Sequence, residues 1–264
     1  MFNVVYSIRL HQEVEYINHL LKNIEKNNTK NNYMVIIHLS TDIFKVKEQI
    51  YTKNVIINPI HYNISELYTH LLMKSFVQNV EYLVEKDIKY ANIITLSSGM
   101  RFVRDIPIIK INNTNICKNE VIQDIEELQG WNWPAFKKNK DIIDIFKKNK
   151  IKLMLGIYTG RIYPRNVSIE ICKFIRNNNI MNIIQNETIF DEIILPSLGN
   201  YYMNNNIHKY SHVFWNKIHY IPSKEDITEI LKKRDDICII KRFPNDINHE
   251  LYKLLDAGYF NTIT

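Results

Sequence analysis

Over the first hundred residues, short apolar runs rich in β-branched residues alternate with segments of helical period, and no other feature constrains the fold as much. A strand is expected over residues 3–8. HQEVEYINHLLKNIEKN follows, with Val14, Ile17, Leu20, Leu21 and Ile24 at helical spacing. YMVIIHL (33–39) predicts a second strand, residues 42–50 a short helix, and residues 54–58 a third strand ended by Pro59. A long helix is expected over 65–86, with Leu67, Leu71, Val77, Val80 and Leu83 near one face; a fourth strand over 90–96 stops at Ser97-Ser98-Gly99. Such alternation predicts an α/β fold, a central mostly parallel sheet flanked by helices.

Beyond Arg101 the pattern loosens. INNTNICKNEVIQDIEELQGWNWPAF is polar, rich in Asn and aromatic at its end. Helices are expected over 141–148, 168–177, 187–198 and 225–233, and strands over 152–158 and 237–240. No linker, repeat or low-complexity tail divides the chain, so residues 1–264 are expected to form one domain, with a nucleotide-binding-like half (1–105) and a less regular acceptor-binding and catalytic half (106–264). Open α/β sheets bind ligands beyond the carboxyl ends of their strands. Attention therefore falls on Leu10-His11, His38 to Ser40, Asn58 to Asn63 and Ser97 to Arg101.

Composition removes several function classes. With 6 Gly in 264 residues there is no GxGxxG and no GxxxxGK[ST], and HExxH and GxSxG are also missing. Asn, which tolerates left-handed backbone nearly as Gly does, supplies about one residue in eight and takes over the punctuation of loops. The net charge of +6 is spread along the chain among acids, as in KDIIDIFKKNKIK, which argues against a nucleic-acid stripe. It leaves room for a phosphate-bearing ligand or peripheral contact with an anionic membrane surface. Cys117, Cys172 and Cys238 form no CxxC pair and read as free thiols of a reducing compartment. The N-terminus has neither a signal peptide nor an anchor, and no apolar run reaches the length of a membrane span, so a cytoplasmic location is expected.

Several constellations carry candidate chemistry. No DxD pair is present to hold a metal on a nucleotide diphosphate; the nearest acids are Asp124 and Glu126. Cys238-Ile239-Ile240-Lys241-Arg242-Phe243 puts adjacent cations at the end of an apolar run, either to stabilise a leaving diphosphate or as a solvated basic pair. Asp191 and Glu192 open a hydrophobic segment, as partners of a helix dipole or as a general base. His11 and His38 stand at strand ends, where a structural role is the competing explanation. Trp131 and Trp133 flank Asn132 as sugar-stacking indoles or as buried loop anchors.

The order and spacing of four segments resemble the core-2/I-branching β-1,6-N-acetylglucosaminyltransferase and peptide O-xylosyltransferase family, glycosyltransferase family 14. YSIRLH, ending in His11, followed by Ile36-Ile37-His38, is similar to the family's opening strand and its HxD strand. YANIITLSSGMRF resembles the segment D-Y-x-x-L-L-S-G-x-D-Y-P and brings in Ser98, Gly99 and Arg101. Phe190 to Leu198 resembles P-D-E-x-x-x-x-T-L, and Cys238 to Phe243 with the trailing LYKLLD resembles the closing F-A-R-K-F-D and L-x-x-L-D.

That resemblance implies a GT-A-like fold, inversion at the anomeric carbon, no required metal or other cofactor, and a UDP-sugar donor, with GlcNAc or xylose as the sugar. It implies Glu192 as the catalytic base beside Asp191, Lys241 and Arg242 at the donor diphosphate, and His11, His38 and Ser40 at the donor nucleotide. Ser98, Gly99, Arg101, Arg161 and Tyr163 would line the donor and acceptor pocket. The acceptor would be a glycan, a lipid-linked glycan or a protein. The chain departs from the pattern where Ser40 replaces the Asp of HxD, where Arg101 replaces the Asp after Ser-Gly, and where Gly160-Arg161-Ile162-Tyr163 stands for G-S-x-W without its Trp. Lys209 and His212 are candidates for a second basic residue. The alternative of another class is a non-catalytic glycan- or nucleotide-binding module on the same fold.

Overall fold

In the computed structural model, residues 1–63, 71–106, 120–121, 133–184, 190–203, 212–214 and 220–263 are described. Five strands make the central sheet in the order β3-β2-β1-β4-β8: β1 (Phe2–Leu10), β2 (Tyr33–Leu39), β3 (Val55–Ile57), β4 (Tyr90–Ser97) and β8 (Ile162–Pro164). The first four are mutually parallel, with Arg9 of β1 in register with His38 of β2 and Ser97 of β4. β8 runs antiparallel to β4, so the sheet is mixed while staying mostly parallel, as the alternation predicts. A second sheet, in the order β5-β10-β9, joins β5 (Met100–Phe102), β9 (Val213–Phe214) and β10 (Ile239–Lys241), and β6 (Glu120–Val121) pairs with β7 (Met154–Leu155). In the β5-β10-β9 sheet the two halves of the chain interlock.

Helices cover both faces of the central sheet. α1 (Val14–Lys26) buries Ile17, Leu20, Leu21 and Ile24 against Val4, Tyr6, Ile8 and Leu10 of β1, the face with even numbers. On the other face α3 (Leu71–Glu85), α4 (Lys140–Lys148), α5 (Arg165–Asn177), α6 (Ile180–Ile183) and α7 (Asp191–Tyr202) enclose Val5, Ile36 and Ile93. α2 (Thr41–Phe44) is one turn, α8 (Lys224–Lys233) is opened by a Ser223–Asp226 capping box, and α9 (Glu250–Asp256) packs Leu251, Tyr252 and Leu255 against Ile240 and Phe243. Short 3₁₀ turns occupy Lys47–Gln49, Trp133–Lys138 and Tyr259–Thr262. Among the described residues no helix is long and apolar enough to cross a membrane.

Several boundaries differ from expectation. The segment 152–158 pairs only over Met154–Leu155, because Gly156 and the buried Tyr158 lead into a turn that returns as β8. The helix expected from 187 begins at Asp191 and runs past Pro196 to Tyr202. Proline lacks the N–H that would bond the carbonyl of Glu192. That carbonyl accepts from Gly156 N–H at 2.9 Å instead, and Ser197 Oγ accepts from Met154 N–H at 2.8 Å. The helix is therefore stitched to β7 and its following loop at the point where the proline frees an acceptor.

Candidate functional site

Along the face of the sheet that meets α3, side chains change from apolar to polar toward the carboxyl ends. Val5 gives way to Ser7 and Arg9 in β1, Ile36 to His38 in β2, and Ile93 to Thr95 in β4. The α3 side answers with polar groups: Asn79 donates to Ser7 Oγ at 3.0 Å and accepts from Asn58 at 2.9 Å, while Ser75 Oγ is 2.7 Å from His38 Nδ1. An α/β sheet without a ligand here would be expected to continue its apolar core to the strand ends.

Three strand ends are tied together at this edge. Ser40 N–H and the Tyr62 hydroxyl both donate to the carbonyl of Leu10, at 3.0 and 3.1 Å. Gln12, beside His11, donates to Ser98 Oγ. Phe243 N–H donates to Gly99 O at 3.0 Å, which places the Ser98-Gly99 turn against the end of β10, where Lys241 and Arg242 stand. Arg242 has φ +70°, a left-handed conformation that costs a residue with Cβ about 1–2 kcal/mol.

Asp191, the first residue of α7, is 2% exposed. Burial, reinforced by the charge of Glu192, pushes its carboxyl up to about 7, while the positive charges of Arg9 and Lys241 pull in the opposite direction. Those influences join β1, β10 and α7 in one electrostatic neighbourhood. The Tyr158 hydroxyl is buried there as well, and burial followed by the charge of Asp191 raises its pKa. Burial and then Arg9 hold His38 down at about 4, so its imidazole is neutral, and the same two causes lower His11. The Arg9 guanidinium lies 5.6 Å from the centre of the Tyr62 ring.

Glu192 is partly exposed beside Asp191, so the two carboxylates of the sequence motif occupy different environments. Arg161 is buried, with Nε donating to Ile157 O at 2.7 Å and N–H to Thr95 Oγ1 at 3.1 Å. Tyr163 is buried in β8, its hydroxyl donating to Leu195 O at 3.3 Å, and it packs on Phe76. It stands behind the edge as support for α7. Arg101 is fully buried, its guanidinium held by Ser98 O, Met100 O and the Tyr252 hydroxyl. His212 is buried with Nδ1 2.6 Å from Asp236 O. Lys209, Cys117, Asp124, Glu126 and Trp131 lie outside the described residues, as does the side chain of Trp133. Cys172 is a buried free thiol, and Cys238 is buried with its Sγ 3.4 Å from Asp105 O.

Several buried polar atoms at the edge also have no protein partner. Buried polar atoms are nearly always hydrogen-bonded in native proteins, and each one left alone costs about 1–3 kcal/mol. Among the described residues the side-chain atoms buried without a partner include His11 Nδ1, Ser40 Oγ, Arg161 Nη2, Asp191 Oδ2 and Arg242 Nε near this edge, and others, such as Gln78 Oε1, Arg165 Nε and Thr228 Oγ1, elsewhere in the fold. Tyr62 falls in the 58–63 segment that the strand ends pointed to, whereas Arg9 and Tyr158 join the site without having been singled out from sequence; Arg9 was discoverable, as a cation at the end of an otherwise apolar strand.

The fold and site define a class, an α/β protein with a mixed central sheet flanked by helices, compatible with a Rossmann-like fold, whose polar site lies at the carboxyl edge of the parallel strands. Comparison with protein-family models finds no matching family, and comparison with curated proteins finds no match.

Proposed function

We propose that this protein is an inverting, metal-independent glycosyltransferase of GT-A-like fold that moves a sugar, GlcNAc or xylose, from a UDP-sugar to a hydroxyl of a glycan, lipid-linked glycan or protein. The observation that carries the reading is the convergence of two carboxyl groups of unlike environment, Asp191 and Glu192, with the cations Arg9, Lys241 and Arg242 and with orphaned buried polar atoms. Sugar transfer needs a base for the acceptor hydroxyl and positive charge for the departing diphosphate. Glu192, reachable from solvent, takes the acceptor proton. Asp191, deeper and with its carboxyl pushed up to about 7, is still partly protonated near neutral pH and in that form donates a hydrogen bond instead of adding a full second negative charge. Lys241 and Arg242 receive the diphosphate charge, and the neutral His38 with Ser40 offers uncharged polar atoms to the nucleoside.

A thermal-shift screen with UDP-GlcNAc, UDP-xylose, UDP-galactose and UDP, with and without Mg²⁺, tests the donor. A ligand bound by the folded state alone, at 100 times its Kd, adds about 2.7 kcal/mol. UDP and one UDP-sugar should raise Tm, and transfer should persist in EDTA. Activity abolished by EDTA and restored by Mg²⁺ would instead make the protein a metal-dependent transferase. Donor binding without any UDP release would favour the alternative of a non-catalytic nucleotide- or glycan-binding module.

A further inference from the structure

We infer that Arg101 is a positioning residue, whose guanidinium braces the Ser98-Gly99 turn and the Arg242-Phe243-Pro244 turn against each other and thereby fixes where Lys241 and Arg242 meet a ligand's phosphates. The phosphate assignment of Lys241 and Arg242 is that of the proposed function; the brace itself is geometry.

Arg101 sits in β5 between the apolar Met100 and Phe102, with 0% exposure. A charge in that position costs several kcal/mol unless its environment compensates. Among the described residues no carboxylate pairs with it; compensation comes from two aromatic faces, Tyr16 at 4.3 Å and Tyr252 at 5.2 Å, and from three hydrogen bonds made by Nη1 and Nη2, while Nε is buried without a partner. Packing alone would be better served by an apolar side chain, so the directions of the hydrogen bonds are what the arginine adds.

Those directions close a ring. Nη1 donates to Ser98 O at 2.9 Å and to Met100 O at 2.7 Å, and the Tyr16 hydroxyl donates to the same Ser98 carbonyl at 3.1 Å. Nη2 donates to the Tyr252 hydroxyl at 3.0 Å, which donates in turn to Pro244 O at 2.7 Å. Phe243 N–H then returns to Gly99 O at 3.0 Å. Arg242, in its left-handed conformation, stands between Lys241, paired with Met100, and Phe243, the ring's first member on that side. The strand pairing of Lys241 on one side and the ring's Phe243–Gly99 bond on the other bracket a conformation that a non-glycine residue otherwise avoids. Lysine has the charge but no planar fork, and cannot serve both branches at once.

The test uses Arg101→Met, Arg101→Lys and Tyr252→Phe, with Ile175→Val as a core substitution remote from the ring. Amide exchange at Phe243 is measured together with calorimetric binding of UDP and of inorganic pyrophosphate, well below the unfolding temperature. Arg101→Met should speed Phe243 exchange and weaken both ligands at least tenfold. Arg101→Lys and Tyr252→Phe should give smaller losses in the same direction, and Ile175→Val should leave both readouts at wild-type values. If Arg101→Met does not fold, Tyr252→Phe carries the comparison. Wild-type exchange at Phe243 in a folded variant overturns the brace, and faster exchange with wild-type affinity overturns the positioning role. A wild-type protein that binds neither UDP nor pyrophosphate overturns the proposed function, and the exchange rates then decide the brace alone.

Discussion

Asp191 and Glu192 are neighbours in sequence, yet only Asp191 is sealed from solvent. A carboxyl raised from 3.8 to about 7 in the folded state keeps a proton, between those values, that the unfolded chain has released. Stability contributed by that proton is present at low pH and lost as pH rises toward 7. Asp191→Asn should therefore raise unfolding free energy relative to wild type at pH 8 by at least about 1 kcal/mol, and change it little at pH 4. Urea denaturation at the two pH values measures this, and an equal effect at both would show that Asp191 is ionised throughout. Arg242 offers a second contrast, because glycine suits φ +70° and arginine does not. Arg242→Gly should stabilise the fold by up to about 1 kcal/mol while weakening UDP binding, a pair of opposite signs that a purely structural residue would not give. Denaturation and titration calorimetry on the same variant read the two. At this scale both carboxylates and both cations stand out in sequence, but the inequality of the two carboxylates depends on burial by distant elements, which no local pattern records.

At the scale of elements, α7 carries the carboxyl pair Asp191 and Glu192, and its placement depends on close approach to β8. A Cβ added to Gly199 would stand 2.6 Å from Tyr163 Cε1. The ring is buried between Phe76 and α7 and has little room to yield. Gly199→Ala should destabilise the fold by about 1–3 kcal/mol despite alanine's better helix propensity, as seen by a lower urea midpoint. The long, periodic elements were legible in sequence: β2 and β4 begin where predicted, and α1 shows the apolar spacing that defines its buried face. What was not legible has physical causes. β5, β8 and β9 have two or three residues each, too few for a period, and exist through pairing with β10 and β4. The run 152–158 is apolar enough to read as one strand, but its later residues are buried in a loop under Thr95, whose hydroxyl donates to Tyr158 O. The helix expected over 187–198 already included Pro196, and it continues to Tyr202 with Gly156 satisfying the carbonyl that proline leaves free.

For the molecule as a whole, the parallel strands, the small second sheet and α7 deliver their termini to one edge from sequence positions as far apart as Arg9 and Arg242. The apolar-to-polar change along β1, β2 and β4 accounts for the choice of edge and of face, since those side chains would otherwise interrupt the core. The excess of positive charge, diffuse in the sequence, gains a local meaning at Arg9, Lys241 and Arg242. The most direct measurement is release of UDP from UDP-GlcNAc and UDP-xylose, with hydroxyl acceptors present, by wild-type protein and by Glu192→Gln. The account predicts turnover of one donor by the wild type, a loss of at least about 100-fold in the variant, and UDP binding retained by both. A Glu192→Gln variant that turns over at the wild-type rate, or a wild-type protein that releases no UDP from either donor, would contradict it.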